Sequence, residues 1–371
     1  MPAPVSDIVT PARVDRVMMG IEPAHNCVHS LFLLTMADEL SGLNEWVIHT
    51  VDQLSPEERK RNAVVTLGLH YAVVPDRSWS SFPAYLEHLA AVNPVELRDK
   101  VLKTYARMPG PGSKEHFLLD EESVTLDVDA WLKSPEAFFS SLRQRFDESH
   151  IYPEVETEAY TYLIDPPAMQ KLIVEHLRHM WDEYLAAEWE RKQPVLMDAV
   201  RAFKETDFTQ MGNLEAARFV TGQPLDDESW NSWLKRAERL IFVPSPHAGP
   251  YLGRFLVGHV MWVLFGARLP STSSLQTHEL SRAAIIVRLS ALTDDTRLQI
   301  LRMIADAGEM RSQEIIDGLG ISQSAASRHL KQLSATGYLS ERRCDGGKCY
   351  QLSRPGIEET LAAVSKFLLG G

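Results

Sequence analysis

At 371 residues the chain is too long for one compact domain and fits two or three, and its 44% hydrophobic and 24% charged residues exclude a disordered or low-complexity chain. The longest apolar runs, Leu31–Leu34 and Val257–Phe265, fall short of the roughly 20 residues that span a bilayer, and no charged start with an apolar core opens the chain, so a cytoplasmic location is expected. Three cysteines (Cys27, Cys344, Cys349) exclude a disulfide framework, none has C-x2-C spacing, and a net charge of −12 taken alone speaks against nucleic acid.

In chain order, residues 1–24 carry four prolines and little periodicity, which predicts an extended start. From His29 to Leu54 apolar residues recur at helical spacing, and Ser55–Arg59 (SPEER) supplies a cap and a proline at the first helical position. Helical patterns continue through 81–105, and Met108–Gly112 (MPGPG) breaks them. Residues 134–205 read as helical again, with 168–192 long and amphipathic. The pattern changes at Arg239: RLIFVPSP, PYLGRFLV and HVMWVLFGARL read as short strands around turns rich in Pro and Gly. The Ser/Thr/Pro-rich stretch 269–279 reads as a linker between an N-terminal region (1–268) and a C-terminal domain (280–371). The expected class is α+β, mostly α, with a late β-hairpin in the first part.

Charge separates the two parts. Residues 281–371 hold 12 Lys and Arg against 10 Asp and Glu, which leaves 26 against 40 for residues 1–280. Between 322 and 354 six basic residues face two acidic ones. A small basic face on an acidic protein suits a site-specific DNA binder.

The C-terminal part begins with a helix over Leu280–Leu292, then TDDTRLQILRMIAD with Asp294 or Thr293 as N-cap. Ser312 is placed to cap the short helix QEIIDGL, Gly320 permits the tight turn, and Ser322 caps a second helix. On that second helix Ala326, Leu330 and Leu333 point inward. Ser324, Arg328, Lys331 and Gln332 point away, with Ser327 at the edge and Gln323 in the first turn. These donors, acceptors and cations suit base edges and phosphates, and equally suit a solvated helix face. Two β-rich runs then flank Asp345-Gly346-Gly347-Lys348, a hairpin turn, and place Arg342, Arg343, Lys348 and Tyr350 on a wing. A last helix from Pro355 carries Ile357, Leu361, Val364 and Leu368 as an apolar stripe, either packed on the first helix or forming a dimer seam.

LSALTDDTRLQIL, ISQSAASRHLKQLSATGYL and ERRCDGGKCYQLS together, over about residues 280–371, resemble the ArsR-type winged-helix transcriptional regulators of bacteria. The resemblance implies a homodimer joined through first and last helices, two recognition helices presented to a pseudo-palindromic operator, and repression relieved by an effector. Carried over, Gln323, Ser324, Ser327, Arg328 and His329 fall in the reading helix and Arg342, Arg343 and Lys348 in the wing; His329 fits packing as well as contact. Thiol-based metal sensors of this family carry a cysteine pair in the first helix of the motif, and MRSQEIIDGLG has none, so no metal cofactor is expected. The N-terminal region resembles the segment that precedes this winged helix in some long family members, a likeness that assigns no ligand.

Other constellations have simpler readings. Cys344 and Cys349 flank the wing turn and can face each other; free thiols on two strand residues are preferred over an oxidised lock. His176, His179 and Glu183 share a helical face at metal-ligand spacing but read as solvated, and His25, Cys27 and His29 lack a fourth ligand. Trp181, Trp189, Trp230, Trp233 and Trp262 read as core. No P-loop, dinucleotide-binding glycine pattern, HExxH or G-x-S-x-G occurs. The expectation is a non-enzymatic, DNA-binding repressor with double-stranded DNA, itself, and an unknown small-molecule or protein effector as partners, and no membrane. The alternative is an enzyme fused to an autoregulatory DNA-binding domain.

Overall fold

The computed structural model describes residues 16–110, 127–146, 151–223, 225, 228–270, 282–344 and 347–369. Of the expected extended start, residues 1–15 lie outside the described residues; the rest contains a strand, β1 (Val17–Met19), which the three residues VMM could not announce without their distant partner. Then follow α1 (Pro23–Thr35), α2 (Glu45–Gln53), α3 (Pro56–Ala63), α4 (His70–Val73), α5 (Phe82–Ala91) and α6 (Pro94–Ala106). After them come α7 (Val128–Trp131), α8 (Pro135–Arg143), α9 (Pro153–Leu163), α10 (Pro166–Met180) and α11 (Ala186–Lys204). Four starts share one device: a proline at the first helical position, where its missing N–H costs nothing, behind the capping side chain of Ser55, Asn93, Ser134 or Asp165. The long pattern at 168–192 is α10 running through a π-helical turn (Trp181–Leu185) into α11.

These helices pack around one apolar core containing Leu31, Val65, Phe82, Phe138, Ile173 and Leu177, all buried. Some polar side chains that cross it are paired. Asn62 donates to Leu31 O (2.7 Å), and His176, predicted to be solvated, is buried with Nε2 3.1 Å from Asn62 Oδ1. His179 meets Glu58 Oε1 at 2.7 Å, so the two rings serve different neighbours.

Helices α12 (Asn213–Thr221) and α13 (Glu228–Arg236) lead into β2 (Arg239–Ser245), β3 (Gly253–Val257) and β4 (Val260–Gly266). The sheet order is β1-β2-β4-β3, with β1, β2 and β4 parallel and β3–β4 the expected antiparallel hairpin. Both faces are covered, which explains the unbroken apolar runs of β2 and β4. Leu240, Phe242, Met261 and Val263 face Phe203 and Val220, while Ile241, Val243, Trp262 and Leu264 cluster with Val74. Trp262 is the most deeply buried of the predicted core tryptophans, and His25 stacks on it at 4.7 Å.

The C-terminal part contains α14 (Arg282–Ala291), α15 (Asp295–Ala307), β5 (Glu309–Arg311), α16 (Ser312–Leu319), α17 (Gln323–Ala335), β6 (Leu339–Cys344), β7 (Gly347–Leu352) and α18 (Arg354–Leu369). Its three-stranded sheet, ordered β5-β7-β6, closes a separate core of Ile300, Ile304, Ile315, Leu330, Leu333 and Tyr338. The class is α+β, mostly α, as expected. Of the predicted linker, residues 271–279 lie outside the described residues. Among the described residues no helix is long and apolar enough to cross a membrane.

Candidate nucleic-acid interface

The helix pair α16–α17 is set by its caps. Asp294 caps α15, its Oδ1 accepting from Arg297 N at 3.0 Å, and the buried Arg297 guanidinium donates to Ala291 O (2.6 Å) and Ser290 O (3.0 Å). Asp294 and Arg297 therefore tie α14 to α15. Burial works against ionisation of Asp294, yet the Arg297 amide and guanidinium hold its carboxyl below the usual range. The cap of α16 falls one residue earlier than predicted: Arg311 is the N-cap, and its N–H donates to Glu314 Oε2 at 2.7 Å. Gly320 ends α16 at φ +62°, a conformation that costs other residues a clash with their own Cβ. Ser322 Oγ then accepts from Ala325 N at 3.2 Å and opens α17.

Along α17 the first half and the second half differ. Gln323, Ser324 and Ser327 are exposed and Arg328 is half-buried. They form one face at the helix N-terminus, the part that contacts bases in helix-turn-helix complexes. Ala326, Leu330 and Leu333 are buried as expected. His329 is buried, its Nδ1 3.9 Å from Asp294 Oδ1 and without a hydrogen-bond partner among the described residues, so packing wins over contact. Burial, with Arg328 and Arg297 nearby, holds this imidazole below its ordinary pKa despite Asp294.

Gln332 departs from the sequence expectation. Its side chain is 2% exposed, and its Nε2 lies 3.0 Å from where a Cβ on Gly42 would stand. Lys331 is only half exposed, with Nζ 3.1 Å from Glu39 Oε2. Both partners belong to the loop between α1 and α2 that the helical spacing of 29–54 had concealed. The N-terminal region thus contacts the second half of α17.

The wing is the antiparallel pair β6–β7, with Arg342 opposite Cys349 and Cys344 opposite Gly347. Arg342 is exposed and makes a two-pronged pair with Glu309 on β5 (2.6 and 2.5 Å), and Lys348 pairs with Glu341 at 2.8 Å. The side chain of Arg343 lies outside the described residues. Tyr350, expected on the wing surface, is a core residue at 5% exposure, and burial, with Glu341 beside it, raises its phenol pKa. Cys344 and Cys349 are joined by a disulfide across the turn, where free thiols were expected.

The last helix splits its predicted stripe. Ile357 packs on the winged-helix core and Val364 is half-buried, whereas Leu361 and Leu368 are 60% and 71% exposed. Ile286 and Leu289 are likewise exposed on α14, the helix α18 packs against. Arg288 fixes that packing by donating to Glu359 Oε2 (2.8 Å) and Thr360 Oγ1 (3.1 Å), and its carbonyl accepts from Tyr338 Oη–H (3.1 Å).

Among the described residues of the N-terminal region a Ser–His–carboxylate sequence of contacts runs from Ser30 Oγ to His247 Nδ1 (2.8 Å) and from His247 Nε2 to Glu188 Oε1 (3.2 Å). All three residues are buried, and Ser30 sits in mid-helix on α1. Burial keeps His247 below its ordinary pKa against the pull of Glu188, and Ser30 Oγ–H itself donates to Asn26 O at 2.8 Å. The His247 ring joins α1, α11 and the loop after β2.

Residues 294–341 match the family described as bacterial regulatory protein, arsR family. The chain is 43% identical over 70 residues to the probable mercury resistance operon repressor of Streptomyces lividans, covering 19% of this chain and 54% of that protein. It is 37% identical over 75 residues to the arsenic resistance transcriptional regulator ArsR1 of Pseudomonas putida, covering 20% and 58%. It is 39% identical over 85 residues to the transcriptional activator HlyU of Vibrio cholerae serotype O1, covering 23% and 78%. The solved structure of reduced HlyU from Vibrio cholerae aligns with 24% of this chain and 92% of that one, at 32% identity and a TM-score of 0.19. The chain spans little more than half the length of the first two relatives, and each of these matches covers less than a quarter of this chain. With a helix-turn-helix built by α16 and α17 and a wing built by β6 and β7, the chain belongs to the arsR family of bacterial regulatory proteins.

Proposed function

We propose that the protein is a homodimeric, operator-binding transcriptional repressor of the cytoplasm whose N-terminal region (1–268), joined through 269–279 to the DNA-binding domain (280–371), senses an effector. The observation that carries this reading is the face at the start of α17 formed by exposed Gln323, Ser324 and Ser327 with half-buried Arg328, together with a wing bearing Arg342 and Lys348. Arg328 suits a guanine edge and the wing cations suit phosphate. Exposed Leu361, Leu368, Ile286 and Leu289, carried on the two packed helices α14 and α18, support a dimer seam there, since large apolar side chains clustered on a surface favour association. The second half of α17, held by Glu39 and Gly42, supports a regulatory rather than catalytic N-terminal region. The buried Ser30–His247–Glu188 chain acts there as a clamp.

The test is binding to a duplex that the protein itself selects from a randomised pool. Two similar half-sites about one helical turn apart, or a multiple of it, are expected. Arg328→Ala should cost about 1–3 kcal/mol and relax preference at one position in each half-site. Lys348→Ala should weaken all sequences alike and lower the salt slope by about one counterion per subunit. Equal loss on selected and random DNA for Arg328→Ala would move Arg328 to the phosphate class.

A further inference from the structure

A cavity of about 430 Å³ lies between the N-terminal region and the winged helix. That is the size of a small-molecule site. Both sides build it. Leu43 and Asn44 come from the loop after α1, Lys192 from α11 and Arg268 from the segment after β4, while Ala335 and Thr336 are the end of the reading helix itself.

Among the described residues the lining holds three cations, Lys192, Arg268 and Arg288, and no carboxylate. Arg288 is committed to Glu359 and Thr360, and Glu359 also acts on Arg268 through space. Arg268 is otherwise placed. Its Nε is buried without a hydrogen-bond partner among the described residues, although a buried donor left unmet is costly. Its guanidinium rests on Gly222, where a Cβ would stand 1.7 Å from Nη1, so only glycine allows the approach. Neutral groups of the lining are already used: Gln223 Nε2 donates to Pro250 O (2.6 Å) and Thr336 Oγ1 to Gln332 O (2.7 Å). What the cavity offers a visitor is positive charge beside the apolar side chains of Leu43, Leu196 and Leu252.

We propose that this cavity is the effector site and takes a small organic anion, a carboxylate or phosphate on an apolar body, whose binding fastens the loop after α1 to α17. The proposal rests on the regulator reading above. One short loop carries every part of the coupling: Glu39 holds Lys331, Gly42 abuts Gln332, and Leu43 and Asn44 wall the cavity. An anion that bridges Arg268 and Lys192 against this loop favours the arrangement in which α17 is held, and so lowers DNA affinity. By linkage, DNA must lower the affinity for the anion by the same factor.

The experiment uses the full chain and matched probes: hexanoate against hexanamide, 3-phenylpropionate against 3-phenylpropionamide, and phenyl phosphate against inorganic phosphate, each by calorimetry. At least one organic anion should bind tenfold or more tightly than its uncharged or non-apolar counterpart. Arg268→Gln and Lys192→Gln should each reduce that binding tenfold or more. Val195→Trp should do the same by occupying the cavity from a position already 57% exposed, where the larger side chain does not disturb the core. The best anion should weaken binding to the selected duplex at least threefold in wild type and not in Arg268→Gln. Binding of an anion and its neutral counterpart with equal strength, or binding indifferent to all three substitutions, would overturn the site. Anion binding that leaves duplex affinity unchanged or raises it would overturn the effector role. A protein that binds the anion but prefers no duplex sequence would refute the regulator reading and leave the anion site standing.

Discussion

Replacing Glu39 by Gln should release the second half of the reading helix. In the structure Glu39 Oε2 stands 3.1 Å from Lys331 Nζ, with both side chains 39% exposed. An ion pair so open to water contributes about 0.2–1 kcal/mol rather than the several of a buried pair. Glu39 Oε1 also accepts from Tyr152 Oη–H at 2.9 Å, and the Gln carbonyl retains that contact, so the loop should stay folded. If DNA binding requires Lys331 to leave Glu39, the substitution removes at most about 1 kcal/mol from the cost, which is up to about a fivefold gain in affinity. Lys331 also becomes available to phosphate, adding about 0.9 to the slope of log K against log salt per subunit. Fluorescence anisotropy on the selected duplex at four salt concentrations measures both quantities, with Lys331→Gln as the control that should abolish the gain. Unchanged affinity and slope would refute the idea that the loop after α1 competes with DNA for α17.

Other outcomes follow from single contacts. Leu361 is exposed in the protomer, so Leu361→Asp with Val364→Asp should shift sedimentation from dimer to monomer at little cost to the fold; a variant that stays dimeric places the seam elsewhere. The disulfide closes a loop of about six residues, worth about 2 kcal/mol in chain entropy, so a reductant should lower the unfolding midpoint of wild type but not of the Cys344→Ser, Cys349→Ser variant. Glu156 is 7% exposed and burial raises its pKa from 4.5 to about 7, so the folded state keeps a proton the unfolded state has lost. That carboxyl therefore subtracts stability increasingly as pH rises from about 4.5 to 7, and Glu156→Gln should stabilise the protein by about 3 kcal/mol at pH 8 and by almost nothing at pH 4.5, measured by urea denaturation. An equal gain at both values would mean that Glu156 is ionised in the fold.

The parts of the chain that sequence made legible are those held by neighbours in sequence. Asp294 and Ser322 cap their own helices, Gly320 turns between α16 and α17, and Ala326, Leu330 and Leu333 share a stripe whatever lies opposite. Misassignments fell where a distant residue decides. Gln332 looked solvent-facing because nothing within α17 announces that Gly42, 290 positions earlier, abuts it. Tyr350 looked like a wing aromatic, but strand register turns it into the core between Glu341 on β6 and Met310 on β5. His176 looked solvated because its partner Asn62 sits on another helix. The wing cations were visible, and their carboxylate partners less so, since Arg342 reaches Glu309 across the sheet and 33 positions away.

The weakness of the contacts on α17 has its own logic. A regulator needs an arrangement that an effector can favour or a DNA site can undo, and couplings of 1–3 kcal/mol suffice for that, whereas overturning a 99:1 preference needs about 5.5. Lys331 is held by one half-exposed carboxylate, and the wing cations by carboxylates on an open surface. Each can be exchanged for phosphate at little cost. What is built firmly is the loop that presents Glu39: Tyr251 Oη–H donates to Ser41 O at 2.6 Å and its oxygen accepts from Ser41 N at 3.1 Å, fixing the loop to the segment between β2 and β3. Rigid placement of a weak partner gives a contact that either forms in one position or is lost, which is the kind of element the proposed ligand in the adjoining cavity requires.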